Sequence, residues 1–186
     1  MPLPSEGQSA FMQYVANQID ATLDWKMVEW VISNTKLPVI LKGVMRADDA
    51  EEAVKKGVQG IIVSNHGGRQ LDSAPATIEV LPSIVRAVGG KVPVGLPFGT
   101  EKSLTNYFYV FVDGGIRNGR DAFKAIALGA AGVFVGRPVL WGLTVAGAEG
   151  VSSVMKLLQS EFLQTMQLAG CRNIREMREF PNLVVK

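Results

Sequence analysis

The fold is decided by the stretch Gly60-Ile-Ile-Val-Ser-Asn-His-Gly-Gly-Arg-Gln-Leu-Asp72, which passes from an apolar run into a polar, glycine-rich loop. The apolar run Ile61–Val63 shows no alternation with polar residues, as expected of a strand that is covered on both faces. Such strands are typical of parallel sheets in α/β proteins, where ligands bind in the loops that follow the carboxyl ends of the strands. The residues after Val63 are therefore the first candidates for a functional site.

The loop after this strand contains Arg69 and His66, which is the only histidine of the chain. Histidine takes up a proton near neutral pH, and the planar guanidinium of arginine binds a carboxylate through two hydrogen bonds. A lone histidine is more often a surface or core residue than a catalyst, and Arg69 could also pair with Asp72. The position after a strand, beside Gly67 and Gly68, favours a base next to a carboxylate-binding arginine, and hence a carboxylic acid substrate.

Three further apolar runs end in glycine or polar residues, and with the first they predict four parallel strands: Pro38–Gly43, Gly60–Ser64, Val110–Gly115 and Gly132–Pro138. Helical patterns lie between and around the strands: Phe11–Ile19, Asp24–Ser33, Asp48–Lys56, Thr77–Val88, Asp121–Leu128 and a long helix that begins near Val151 and ends at Gly170. Asp48 and Glu51 have capping-box spacing at a helix start. Met155 and Met166 are expected to fill gaps in the core. The repeat of strand, loop and helix predicts a parallel α/β architecture.

Composition limits the function classes. The chain has 186 residues, of which 47% are hydrophobic and 19% charged, and its formal net charge is only +2. These values indicate a globular domain, and the scattered basic residues predict no nucleic-acid partner. No apolar run reaches the roughly 20 residues of a membrane span, and the single cysteine, Cys171, excludes an internal disulfide. We expect an intracellular protein without a membrane segment or a metal site.

A second group of candidate residues follows the third and fourth strands. Asp113-Gly-Gly-Ile-Arg117 combines two glycines with an arginine ahead of a predicted helix, and Gly136-Arg137 occupies the same position after the fourth strand. Glycines let backbone N–H groups approach an anion, and arginine and a helix start add positive potential. Two such sites at neighbouring strand ends predict a phosphate cradle of the kind found in barrel enzymes. Lys42, at the end of the first strand, is either part of the same mouth or a solvated loop lysine.

The spacing of the strands is irregular. Val39 and Ile61 are separated by the same number of residues as Val112 and Phe134, whereas Ile61 and Val112 lie more than twice as far apart. The excess falls in residues 95–109. Long loops of this kind are uncommon inside compact α/β units. We interpret 95–109 as an insertion, of the kind that an intervening sequence retained in a gene prediction would produce.

Taken together, these residues resemble the FMN-dependent 2-hydroxy-acid oxidase and dehydrogenase family. The resemblance runs from about residue 8 to about residue 177, apart from 95–109, and its most specific part is Ser64-Asn-His-Gly-Gly-Arg-Gln-Leu-Asp72. It implies a partial (β/α)8 barrel, in which the strands match barrel strands 5–8 with flanking helices, in a single domain over residues 1–186. It also implies oxidation of a 2-hydroxy acid to a 2-oxo acid by FMN, with oxygen as the acceptor and hydrogen peroxide as the product.

The resemblance assigns a role to each candidate residue. His66 would remove a proton from the substrate, and Arg69 would bind the substrate carboxylate. Lys42 would stabilise negative charge on the reduced flavin, and Ser64 would also contact FMN. The FMN phosphate would be held by the two glycine-rich loops, namely by Asp113, Gly114, Gly115, Ile116, Arg117, Gly136 and Arg137.

The chain differs from the family in length, because it contains only the last four strands of a barrel that needs about 250 residues. The other half carries further FMN and substrate contacts and the aspartate that orients the histidine. An isolated half-barrel leaves sheet edges open, so we expect a homo-oligomer or a complementary half-barrel as the partner.

This chain alone is therefore expected to be inactive as an oxidase. The alternatives are a non-catalytic FMN or phosphate binder and an interaction protein that pairs with full-length relatives. The family implies a peroxisomal location, whereas residues 182–186 do not form the Ser-Lys-Leu signal, which leaves the cytoplasm as the alternative.

Overall fold

The computed structural model describes residues 22–89 and 108–179, together with Tyr14, Asp20 and Val184. Two predicted features lie almost entirely outside the described residues, namely the helix over Phe11–Ile19 and the insertion over 95–109. The insertion and the assignment of residues 1–186 to a single domain stay predictions. The chain divides into two compact units, residues 1–35 and residues 36–186.

The first unit contains helix α1 (Trp25–Ser33), in agreement with the predicted helix over Asp24–Ser33. The helix begins after Asp24, whose carboxylate accepts a hydrogen bond of 2.9 Å from the backbone N–H of Met27. Such a cap satisfies one of the backbone donors that the first helical turn leaves free.

The second unit contains a parallel sheet with the strand order β1-β2-β3-β4, as predicted. The strands are β1 (Ile40–Val44), β2 (Gly60–Val63), β3 (Tyr109–Val112) and β4 (Gly132–Val133). Each strand pairs with its neighbour in the sequence, so that Ile62 faces Lys42 on one side and Phe111 on the other. Every residue of β3 is buried, as expected of a strand covered on both faces. The carboxyl ends of all four strands therefore lie at one edge of the sheet.

The described part of this unit also contains the helices α2 (Ala47–Lys55), α3 (Thr77–Ala87), α4 (Gly119–Ala127), α5 (Arg137–Leu168) and α6 (Glu176–Glu179). The capping box predicted for Asp48 and Glu51 is wrong, because α2 begins before Asp48 and its N-cap is Arg46. The Arg46 guanidinium donates a hydrogen bond to the Asp48 carboxylate and lowers the pKa of that carboxyl to about 2. Within the described residues, none of the helices has the length and apolar character needed to cross a membrane.

Helix α5 begins at Arg137, well before the predicted start near Val151, and it is bent at Gly147, where φ is +56°. The two arms of the bent helix cross at Gly142 and Gly150. A Cβ atom on Gly150 would lie 1.9 Å from the Gly142 carbonyl oxygen, so only glycine permits this approach. The bend lets the first arm line the strand ends while the second arm packs against α4.

Helix α4, the second arm of α5 and the segment that follows it, including α6, together form a core cluster of Phe123, Ile126, Met166, Cys171 and Met177. Met166 is buried, as predicted. The core role predicted for Met155 is wrong, because its side chain is 50% exposed. Its neighbours Val154 and Leu158 are less exposed, so Met155 lies on the solvent side of the amphipathic arm.

We predict that Gly150→Ala destabilises the protein and that Ser152→Ala, at an exposed position of the same arm, does not. The added methyl group would overlap with the Gly142 carbonyl group, and overpacking of this kind costs about 1–3 kcal/mol. Urea unfolding followed by circular dichroism measures the change in the free energy of unfolding. Equal unfolding midpoints for the two variants would contradict the close crossing of the two arms.

Candidate active site at the carboxyl ends of the strands

A cleft of about 450 Å³ lies at the carboxyl ends of the strands. It is lined by every residue of the predicted site except Ser64, namely by Lys42, His66, Arg69, Asp113, Gly114, Gly115, Ile116, Arg117, Gly136 and Arg137. Ser64 lies behind this lining, where its hydroxyl group contacts Lys42. Parallel strand order explains why residues that are distant in the sequence come together here.

The loop after β2 holds His66 in a strained backbone conformation. The φ angles of His66, Gly67 and Gly68 are +58°, +69° and +72°, so three successive residues are left-handed. For a residue with a side chain this conformation costs about 1–2 kcal/mol, and such strain concentrates at functional sites. The backbone N–H of His66 donates a hydrogen bond of 3.2 Å to Ser64 Oγ, which anchors the loop to the end of β2.

His66 and Arg69 are linked through the backbone. Nε of Arg69 donates a hydrogen bond of 3.3 Å to the carbonyl oxygen of His66, which leaves the terminal guanidinium nitrogens available to a ligand. The imidazole ring has no hydrogen-bond partner among residues 22–89 and 108–179. The carboxylate that the family resemblance expects beside this histidine is therefore not supplied by the described residues.

Lys42 lies in the mouth of the cleft and has two polar partners. Its Nζ atom is 2.9 Å from Asp113 Oδ2 and donates a hydrogen bond of 2.7 Å to Ser64 Oγ. Lys42 lies within β1, two residues before its end at Val44 rather than at the end as predicted, whereas Ser64 and Asp113 directly follow β2 and β3. The contact therefore spans three neighbouring strands. The ammonium group is thereby held beside the cleft rather than free in solvent.

Two glycine loops present open backbone beside two arginines. Gly114 and Gly115 have φ angles of +86° and +77°, and a Cβ atom on Gly115 or on Gly136 would meet no atom within 4 Å. Arg117 and Arg137 line the same cleft. Exposed backbone N–H groups next to guanidinium groups are the donors that a phosphate needs.

The start of α4 does not contribute the positive potential that the sequence led us to expect. The Asp121 carboxylate accepts hydrogen bonds from the backbone N–H groups of Arg117 and Asn118, at 3.0 and 3.3 Å. The Glu161 carboxylate accepts another from the N–H of Gly119 at 2.7 Å. Two carboxylates thus already neutralise this helix terminus.

The start of α5 is the open helix terminus of the site. Its N-cap is Gly136, which makes no side-chain cap, and α5 begins at Arg137 inside the cleft lining. The sequence carries a signal for this start, because Pro138 is typical of the first helical turn.

An apolar wall of the cleft was missed by the sequence analysis. It consists of Phe134, Val135, Val139, Leu140 and Trp141. The ring of Phe134 packs edge-on against Phe111 with 5.6 Å between the ring centroids. Leu140 and Trp141 are 58% and 55% exposed, and apolar side chains of this kind cover the faces of a flat ring.

The residues of the cleft fit FMN. Lys42, Arg69, Arg117 and Arg137 line it, and Asp113 is the one acidic residue among the described lining residues. This charge suits a phosphate together with a carboxylate, and the apolar wall suits a flat ring system.

The chain is similar to FMN-dependent enzymes in both sequence and structure. Residues 3–182 match the family described as FMN-dependent dehydrogenase. 2-Hydroxyacid oxidase 1 of Mus musculus is 50% identical over 167 residues, which cover 90% of this chain and 41% of the relative. Glycolate oxidase 1 of Zea mays is 50% identical over 169 residues, which cover 91% and 42%. The crystal structure of mandelate oxidase with (S)-4-hydroxymandelic acid is 45% identical with a TM-score of 0.79, over 94% of this chain and 44% of that chain.

The chain spans about two fifths of the length of the curated relatives that it matches. Its four parallel strands correspond to part of a TIM-barrel FMN oxidase, which confirms the predicted partial barrel. Because the family match extends over nearly the whole chain, the protein belongs to the FMN-dependent dehydrogenase family and corresponds to part of its 2-hydroxy-acid oxidases.

Proposed function

We propose that the chain is the carboxyl-terminal part of an FMN-dependent oxidase that converts a 2-hydroxy acid into a 2-oxo acid. The observation that carries this proposal is the cleft in which His66 and Arg69 lie beside Lys42 and the two glycine and arginine loops. A base, a carboxylate-binding arginine and a phosphate cradle are the elements that this reaction needs. Relatives of about 50% identity carry the names 2-hydroxyacid oxidase and glycolate oxidase, which supports the same reaction class.

His66 and Arg69 act on the substrate. The guanidinium of Arg69 binds the carboxylate group, and its hydrogen bond to the His66 carbonyl oxygen fixes the distance between the two residues. The substrate is thereby oriented with its 2-hydroxy carbon next to the histidine. His66 takes a proton from the substrate as a general base.

The cofactor is held by residues of this chain. Gly114, Gly115, Ile116, Arg117, Gly136 and Arg137 would hold the phosphate, and Lys42 and Ser64, which contact each other, would hold the flavin. When bound, FMN would supply the acceptor for the two electrons that the substrate loses, with molecular oxygen as the final acceptor and hydrogen peroxide as the product. The ammonium of Lys42 favours the form of the cofactor that carries more negative charge.

The oxidase reaction needs the complementary half of the barrel. Among the described residues, strand β1 has a neighbour on one side only, and Ile40 at its start is 44% exposed. An amino-terminal half-barrel that pairs with β1 and β4 would cover both open edges. It would also supply the carboxylate that the ring of His66 lacks among the described residues, and we propose it as the partner of this chain.

A non-catalytic FMN binder is the second candidate function. One observation favours it, because the phosphate loops lie wholly within the described part of the chain while the imidazole of His66 has no partner there. Such a chain would retain the flavin without oxidising a 2-hydroxy acid.

We predict that the purified chain binds FMN and that Arg117→Gln weakens this binding roughly tenfold or more, because a charge-assisted hydrogen bond to phosphate is lost. Arg120→Gln, at an exposed position three residues further on, serves as the matched control. Quenching of flavin fluorescence during titration measures the dissociation constant. Equal affinity of the two variants would argue against a phosphate at Arg117.

We also predict that turnover of a 2-hydroxy acid such as glycolate requires both His66 and the complementary half-barrel. The chain is co-expressed with the amino-terminal part of the maize glycolate oxidase that it does not match, and hydrogen peroxide is measured. His66→Asn should retain FMN and lose about 10²–10⁴-fold in turnover, because the general base is absent. Asparagine tolerates left-handed φ angles, so this substitution keeps the loop conformation. Undiminished turnover in His66→Asn would show that His66 is not the general base. Turnover by the chain without the amino-terminal half-barrel would show that the partner is not required.

A further inference from the structure

The carboxylate of Asp113 has no evident place in a phosphate cradle. It lies among Lys42, Arg69, Arg117 and Arg137, and it is the one acidic side chain among the described residues that line the cleft. A carboxylate repels a phosphate at short range. The role of Asp113 must therefore follow from its own contacts.

The contacts of this carboxylate lead to Lys42. Oδ2 of Asp113 lies 2.9 Å from Lys42 Nζ, whereas Oδ1 is buried and has no hydrogen-bond partner among the described residues. The side chain of Asp113 is only 19% exposed, so the carboxylate has exchanged most of its water for one cationic partner. A largely buried charge is held firmly by such a partner, because separation would leave the charge both unpaired and unsolvated.

The backbone fixes Asp113 independently of the lysine. Its N–H donates a hydrogen bond of 3.1 Å to the Val63 carbonyl oxygen, and its own carbonyl oxygen accepts one of 2.6 Å from the hydroxyl of the buried Thr77. Lys42, in contrast, carries a long side chain on an edge strand and is 47% exposed. Asp113 is thus the rigid member of the pair, and Lys42 is the flexible one.

We propose that Asp113 is a positioning residue for Lys42. Its carboxylate and the Ser64 hydroxyl together hold the ammonium group at the mouth of the cleft. Ordering a lysine side chain before the ligand arrives removes an entropic cost from ligand binding. The inference rests on the proposed function, in which Lys42 acts on the flavin, but the contact itself exists without flavin and can be tested in its absence.

Competitive acetylation with a limiting amount of acetic anhydride, followed by mass spectrometry, measures the reactivity of Lys42 in the full chain without FMN. Asp113→Asn removes the charge at nearly constant size, and Asp113→Glu restores it. Asp72→Asn, in the neighbouring loop, changes an exposed carboxylate that has no contact with Lys42. Lys55, which forms its own ion pair with Glu52, is the internal reference.

We expect Asp113→Asn to raise the ratio of Lys42 labelling to Lys55 labelling roughly threefold to fivefold. This fold-change corresponds to the free energy that a partly exposed ion pair contributes. Asp113→Glu should reverse most of this increase, which a general loosening of the loop would not do. An unchanged ratio in Asp113→Asn, no reversal by glutamate, or an equal increase in Asp72→Asn overturns the proposal. Asp113→Ser provides the same comparison if Asp113→Asn does not fold.

Titration with FMN separates this inference from the proposed function. Where FMN binds, Lys42→Met, Asp113→Asn and the double variant should lose affinity by a similar factor, because the aspartate acts through the lysine. Additive losses in the double variant overturn the positioning role. If the wild-type chain binds no FMN, the proposed function fails for this chain, and the labelling ratio still decides the role of Asp113.

Discussion

Parallel strand pairing is the constraint on which the rest of the structure depends. Because all four strands run in one direction, Lys42, Ser64 and Asp113 arrive at the same edge although long segments separate them in the sequence. The backbone ladder extends into the site itself, since the N–H of Asp113 donates to the carbonyl oxygen of Val63. The charges of the cleft are therefore placed by backbone hydrogen bonds of the sheet, which a change of surface residues does not alter.

The distribution of carboxylates keeps the cleft positive. At the start of α4, Asp121 and Glu161 accept the free backbone N–H groups, so this helix terminus contributes to stability and offers nothing to a ligand. The start of α5, after Gly136, has no side-chain cap. Inside the cleft the carboxylate of Asp113 pairs with Lys42, which leaves the guanidinium groups of the two phosphate loops to the ligand. In the proposed function, the start of α4 therefore serves fold stability, whereas the start of α5 serves ligand binding.

The features that could be predicted from the sequence are those with a local cause. Apolar runs that end in glycine or polar residues predict the four strands, and the loop around His66 carries its own signature. The features that could not be predicted depend on contacts between distant segments. The bend of α5 depends on the contact between Gly150 and Gly142, and the exposure of Met155 depends on which face of that helix the bend turns inward. The pairing of Asp113 with Lys42 becomes visible only when three strands are aligned.

In the proposed function, cofactor binding and proton transfer depend on different parts of the barrel. The phosphate loops follow two adjacent strands, β3 and β4, so neighbouring backbone within this chain holds them in place. The ring of His66 is oriented by the strained loop alone, because no described residue bonds to it. A carboxylate partner would fix the ring and favour its protonated form, which is the form that a general base reaches as it acts. The proposed function therefore predicts that flavin binding depends on this chain alone, whereas proton transfer depends on a complete barrel.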